Sequence, residues 1–183
     1  MLLKKVFFNQ PTEKIARELL GTYLIHDSPE GRTVGQIIET EAYLSNDPAC
    51  HASRGMTART EPMFGPPGHA YIYFIYGMYH CFNVVTAPVG IGEAVLIRAI
   101  KPIDGIDLMK KRRPKANEKN LCNGPGKLVL ALGIQPHQNR VNLLKGNLRL
   151  ETGEKISRSQ IKVTPRIGIS QAQDLLLRFL LRR

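Results

Sequence analysis

The stretch that most restricts the fold is Tyr71-Ile72-Tyr73-Phe74-Ile75-Tyr76-Gly77-Met78-Tyr79-His80-Cys81-Phe82-Asn83. It gathers four of the six tyrosines of the chain into nine residues. Aromatic and β-branched residues favour strands, and Gly77 interrupts the run. The pattern predicts two antiparallel strands with Tyr76, Gly77 and Met78 at the bend. An aromatic such as Tyr76 at a hairpin tip is badly placed for burial and well placed for insertion into another molecule. The competing reading of each tyrosine is packing in a sheet core.

The charge balance says what that other molecule could be. Lys plus Arg number 26 against 15 acidic residues, a formal net charge of +11 with a pI near 9.8. Such a surface favours polyanions: DNA, RNA or an anionic membrane. The absence of any apolar run of about 18 residues argues against a membrane span. Met1-Leu2-Leu3-Lys4-Lys5 does not read as a signal peptide, because no long apolar segment follows the lysines. Cys50, Cys81 and Cys122 are odd in number and unpaired in spacing, which fits reduced thiols in a cytoplasm. Cys50-His51 and His80-Cys81 lack zinc-ligand spacing, so no metal is expected.

With 183 residues, 43 % of them hydrophobic, the chain is expected to form one domain over 1–183 with its own core. A first helix is expected over 11–20, capped by Thr12 and stopped by Gly21. Strands follow over 22–26 and 34–43, with a turn at Ser28-Pro29-Glu30-Gly31. Residues 45–68 form a long loop rich in Pro and Gly, carrying His51, Arg54 and Arg59; loops of this length in a compact domain are often functional. After the hairpin, 93–100 reads as a buried strand containing Arg98, and 103–110 as a short helix. That helix leads into Lys110-Lys111-Arg112-Arg113-Pro114-Lys115, either a solvated loop or a phosphate contact. Asn123-Gly124-Pro125-Gly126-Lys127 opens a helix to about 132, and free amides at such a start can meet a phosphate. Late strands are expected over 148–151 and 161–163. Hairpins without regular βαβ alternation argue for an α+β fold.

The chemistry centres on Ile37-Ile38-Glu39-Thr40-Glu41-Ala42-Tyr43. Alternate residues of a strand share a face, so Glu39, Glu41 and Tyr43 point the same way. A carboxylate among apolar and aromatic groups is disfavoured unless it is paired or used, and such burial suits it to general-base work. The alternative is an edge strand with solvated glutamates. A carboxylate near several aromatics, in a basic protein with an exposed hairpin aromatic, suggests an enzyme that flips a base out of a duplex and fills the gap with a wedge.

At this point the residues match a known family. Ile38-Glu39-Thr40-Glu41-Ala42-Tyr43, Met63-Phe64, Pro67-Gly68, the tyrosine run, Val95-Leu96-Ile97-Arg98-Ala99, and Gly124-Pro125 followed by Lys127-Leu128 resemble the alkyladenine (3-methyladenine) DNA glycosylase family, in its bacterial form. The resemblance runs from about residue 12 to about 179. It implies one α+β domain, a curved antiparallel sheet with flanking helices and a protruding tyrosine hairpin. It implies that Glu41 activates the water that attacks C1′ of a flipped nucleotide, and that Arg98 helps hold that water. Tyr43 and His51 would stack on one face of the damaged purine and Tyr73 on the other. Asn83 would stand at the minor-groove edge and exclude guanine. Tyr76 would be the plug, Met78 and Tyr79 would lie along the groove, and Arg59 and Lys127 would meet phosphates.

The implied reaction is hydrolysis without strand cleavage, with no cofactor and no metal, on double-stranded DNA carrying damaged purines. The protein would act as a monomer among the nucleoid. Thr60 stands where an asparagine is frequent in a DNA-facing loop, and the chain is one residue shorter than some members between Tyr43 and His51. Family members extend past the segment matching Leu177-Arg178-Phe179 into a tail whose main chain helps place the water. The alternative function is therefore a lesion-binding protein with little hydrolysis.

Overall fold

The computed structural model describes residues 1–75 and 77–182. Among these described residues, eight strands and three helices form an α+β domain. The strands are β1 (Tyr23–Ser28), β2 (Gly31–Tyr43), β3 (Ala70–Ile75), β4 (Tyr79–Val85), β5 (Ala94–Asp104), β6 (Leu148–Glu151), β7 (Ile161–Thr164) and β8 (Arg178–Leu181). The helices are α1 (Thr12–Glu18), α2 (Ile106–Arg112) and α3 (Pro125–Leu132). The sheet runs β3-β4-β5-β2-β1-β6, with β8 against β2 and β7 against β8.

The strand of carboxylates is central rather than an edge. One side of β2 pairs with β5 from Val34 to Tyr43. Its other side pairs with β1 over 31–36 and then with β8 over Glu39–Glu41. Two irregularities offset each other in the β2–β5 ladder: Glu39 stands opposite Ala99 and Thr40 opposite Ile97, which leaves Arg98 unpaired in a bulge. Bulges re-aim side chains, often beside active sites.

Alternation divides the sheet into two faces. Ala42, Ile72, Phe82, Val84, Val95 and Ile97 face α1 and α3 and join the main core with Ile15, Leu19, Leu128 and Leu132. On the opposite face Tyr71, Val85 and Ala94 pack with Cys50, Ala52 and Met63 of the long 45–68 loop, against Tyr43 and Tyr73. That loop is therefore ordered packing; it contains short 3-10 turns at His51–Arg54 and Glu61–Phe64. Phe179 fastens β8 to the main core with no exposed surface, under the Arg17 guanidinium at 4.6 Å.

Several local expectations need correction. Thr12 does not cap α1: Pro11 stands at the cap position with no side-chain cap. The Thr12 hydroxyl is instead engaged by Thr86 at 2.8 Å and Glu93 at 2.6 Å. The helix expected over 103–110 begins at Ile106, because β5 continues to Asp104 and Gly105, at φ 71°, turns the chain. The hairpin is as expected, with Ile75 opposite Tyr79, and Gly77 takes the left-handed conformation (φ 67°) that a tight turn requires.

Candidate active site

One row of side chains crosses four strands. Tyr71 stands opposite Asn83, Asn83 opposite Leu96, and Leu96 opposite Glu41. With their same-face neighbours Tyr73, Tyr79, Cys81, Ala94, Arg98 and Tyr43, the Tyr71, Asn83 and Leu96 side chains of this row line a cavity of about 330 Å³. His51 closes it from the long loop, Pro125 and Gly126 from the start of α3, and residues 167–169 from a strap between β7 and β8. The volume lies within the range of small-ligand sites, roughly 300–1,000 Å³.

Glu41 is fully buried and lies in the wall behind the lining. Its Oε1 accepts the Ile167 backbone N–H at 2.8 Å. Its Oε2 accepts the Tyr43 hydroxyl at 2.9 Å and Arg98 at 3.4 Å. Each carboxylate oxygen can accept two bonds, so Oε1 retains one acceptor position. The bulged Arg98 also donates to Glu39 Oε1 at 3.0 Å, which Arg178 shares at 2.7 Å. Burial alone would weaken the Arg98 cation, and Glu41 and Glu39 more than reverse that. The Tyr43 hydroxyl is held protonated, first by burial and then by the neighbouring Glu41 charge.

The aromatic lining is tightly packed. His51 meets Tyr73 edge-on, with ring centroids 4.5 Å apart, and Tyr73 lies 5.4 Å from Tyr71. A flat ring sandwiched between two others needs about twice the carbon contact distance, about 7 Å. His51 and Tyr73 therefore touch each other and leave no slot between them. His51 Nδ1 lies 3.1 Å from the Tyr71 hydroxyl, so Tyr71 lines the site rather than merely filling core. The imidazole pKa is lowered, by burial first and by Arg59 second. Burial pushes the Tyr71 hydroxyl up to about 12 and raises that of Tyr73 further, with Cys81 beside it. Asn83 is buried, its amide nitrogen donating to the Tyr71 carbonyl at 3.0 Å.

At the rim, Phe74, Met78 and Tyr79 are exposed; Tyr76 lies outside the described residues. Tyr79 packs closely against the start of α3: a Cβ on Gly126 would come within 3.1 Å of it. Arg59 is exposed, donates to the Phe74 carbonyl at 3.2 Å and lies 5.5 Å from the Tyr73 ring centroid. Lys127 reaches Asn123 at 2.7 Å on the first turn of α3. Three members of the basic cluster have protein partners: Lys110 lies 3.8 Å from a Glu118 oxygen, Arg112 holds the Ala131 carbonyl and Glu30, and Arg113 holds the Asn120 and Leu121 carbonyls. Thr60 is buried, its hydroxyl spent within its own turn on Thr57 and Gly55.

The main chain that reaches the Glu41 carboxylate is that of Ile167, upstream of β8. Sequence reasoning missed this contact because a backbone N–H has no residue-type signature. It also missed Arg166 and Asp47, which form a buried ion pair under Tyr43. Among the described residues no cluster of three or more His, Cys, Asp or Glu could hold a metal, and no helix is long and apolar enough to cross a membrane. Cys50, Cys81 and Cys122 are free and buried.

The sequence pattern of the methylpurine-DNA glycosylase family matches residues 6–183. A protein of Carboxydothermus hydrogenoformans is 48 % identical over 183 residues, covering all of this chain and 96 % of its own. One of Prosthecochloris aestuarii is 51 % identical over 174 residues, 94 % of this chain and 84 % of its own. One of Methanoculleus marisnigri is 46 % identical over 185 residues, again all of this chain and 96 % of its own. Each of the three bears the provisional name 3-methyladenine DNA glycosylase.

Proposed function

This chain belongs to the methylpurine-DNA glycosylase family, and on that premise we propose that it excises alkylated and deaminated purines from double-stranded DNA by simple hydrolysis. The substrates would be of the 3-methyladenine, 7-methylguanine, hypoxanthine and ethenoadenine class. The observation that carries the reading is Glu41: a fully buried carboxylate held by Tyr43, Arg98 and the Ile167 amide at the wall of an aromatic cavity.

The damaged nucleotide rotates out of the stack and its base enters the cavity. Stacking contributes about 1–3 kcal/mol per base, and a cationic alkylated purine gains further from electron-rich rings. Asn83, fixed by the Tyr71 carbonyl, reads the purine edge. A water then donates one hydrogen bond to the remaining acceptor position on Glu41 Oε1. As its oxygen bonds to C1′, the C1′–N bond breaks, the base leaves with the electron pair, and the water proton passes to Glu41. Arg98 balances the carboxylate charge before that transfer. The pocket lining contains no lysine, so no amine is placed to form an imine with the sugar, and the product is an abasic site in an intact strand. Tyr76 is assigned the plug, Met78 and Tyr79 the groove, and Arg59 and Lys127 the phosphates.

One observation favours a second reading, a lesion-binding protein with little hydrolysis: every protein donor around Glu41 is already in place and the carboxylate has no exposed surface. Duplexes carrying one hypoxanthine or one ethenoadenine separate the two. Release of free base, followed by strand breakage only after hot alkali, supports the glycosylase. Tight lesion-specific binding without an alkali-labile site supports the binder. A strand break before alkali would overturn simple hydrolysis.

A further inference from the structure

Behind the cavity stands a cation that the reaction above does not use. The Arg166 side chain has no exposed surface and pairs with Asp47, whose side chain is 2 % exposed. Two of its nitrogens engage the two Asp47 oxygens, one at 3.0 Å. One of them also donates to the Ala42 carbonyl at 3.0 Å, between Glu41 and Tyr43 in the chain. The guanidinium carbon lies 4.7 Å from the Tyr43 ring centroid. Tyr43 lines the cavity and Arg166 does not, so the cation lies behind the ring. The next residue, Ile167, gives its N–H to Glu41. Asp47 shapes the turn towards His51, accepting the Ala49 N–H on its side chain at 3.0 Å and the Cys50 N–H on its carbonyl at 2.9 Å.

We propose that Arg166 is a positioning residue for base excision, fixing the Tyr43 ring, the Ile167 amide and the His51 turn relative to Glu41. The inference rests on the glycosylase reading. A buried ion pair is a poor way to gain stability, because desolvation offsets most of the attraction. Its strength is direction: the guanidinium is a rigid planar fork, and two carboxylate oxygens plus a carbonyl fix its plane. A ring lying on that plane is fixed with it. The Nε hydrogen is left without a partner, a cost that stability alone would not select. The three groups held this way belong to the strand of Glu41, the long loop and the strap, which share no other ion pair among the described residues.

The test compares wild type, Arg166→Lys, and the double variant Arg166→Met with Asp47→Asn, which avoids stranding a buried carboxylate. Each is assayed on a duplex carrying one ethenoadenine. The single-turnover excision rate should fall on the order of 10²-fold, as for misplacement of reacting groups by about 1 Å, while lesion affinity changes by less than about threefold. Arg166→Lys should keep most of the thermal stability and still lose rate, because an ammonium cannot fork or stack. Unchanged rate in these folded variants, or equal losses of rate and affinity, would overturn the proposal. If wild type itself releases no base, the glycosylase reading fails separately. The fluorescence of bound ethenoadenine then decides: quenching weakened in the variants supports a fixed Tyr43 ring, and unchanged quenching rejects it.

Discussion

The Ile167 backbone N–H lies 2.8 Å from Glu41 Oε1, joining two residues 126 positions apart in the sequence. The contact exists because β8 takes over the β2 edge where β1 ends, pairing Arg178 with Glu41 and Phe179 with Thr40. The strap that precedes β8 is thereby drawn across the face that carries Glu41. A carboxylate that receives one backbone donor, one hydroxyl and one guanidinium is oriented before substrate arrives, which is the condition for an efficient general base.

Replacing Glu41 by Gln should remove base release and spare lesion binding. The amide can still accept the Ile167 N–H, but it cannot take a proton from water. Loss of a general base lowers rates by about 10²–10⁴. Its NH₂ would face the Arg98 donor, so a stability loss of about 1–3 kcal/mol is also expected. Single-turnover excision and a binding titration on the same duplex measure both; release at the wild-type rate would remove Glu41 from the chemistry.

Arg98→Met addresses the charge balance. Glu39 would keep Arg178 at 2.7 Å, whereas Glu41 has no other salt-bridge partner among the described residues. Stranding a buried charge costs about 3–5 kcal/mol. The folded variant should release base more slowly than wild type while keeping most of its lesion affinity. An unchanged single-turnover rate would show that Arg98 plays no part in the chemistry.

Much of this site could be read locally. Period-two alternation put Glu39, Glu41 and Tyr43 on one face, and the apolar run around Arg98 marked its strand. The bulge that re-aims Arg98 could not be read, since it depends on the register between β2 and β5. Nor could the union of Asp47 with Arg166, 119 residues apart, because a single charge on each side of a long connection has no periodicity. Thr12 looked like a cap by its position; it serves instead to tie α1 to Thr86 and Glu93.

His26 gives a pH dependence of stability. It is buried, with Nδ1 2.8 Å from the Leu132 carbonyl and Nε2 2.9 Å from the Gln138 amide nitrogen. Nδ1 therefore donates and Nε2 accepts, and a second proton would confront the amide donor. Its pKa is lowered, by burial first, and that of His51 is lowered the same way. The unfolded histidines take up a proton near pH 6.5 while the folded ones resist. Their contribution is complete above about 6.5 and is lost as pH falls from there towards the lowered native values. The urea midpoint should drop between about pH 7.5 and 5.5, and His26→Gln should make that drop shallower. Equal drops in the two proteins would show that His26 is not responsible.

Phosphate contact at the rim can be counted. With a net charge of +11, binding to duplex DNA should release counterions, and log affinity should fall linearly with log salt at about −0.9 per phosphate neutralised. Arg59 and Lys127 flank the cavity mouth from opposite elements, and neither forms a salt bridge with a carboxylate among the described residues. Arg59→Ala and Lys127→Ala should each weaken binding to lesion and undamaged duplex alike and reduce the salt slope by about one. Arg112→Ala should leave the slope unchanged and lower stability, because its guanidinium is committed to Glu30 and the Ala131 carbonyl. A slope insensitive to Arg59 and Lys127 but reduced by Arg112→Ala would move the phosphate track from the cavity mouth to the end of α2.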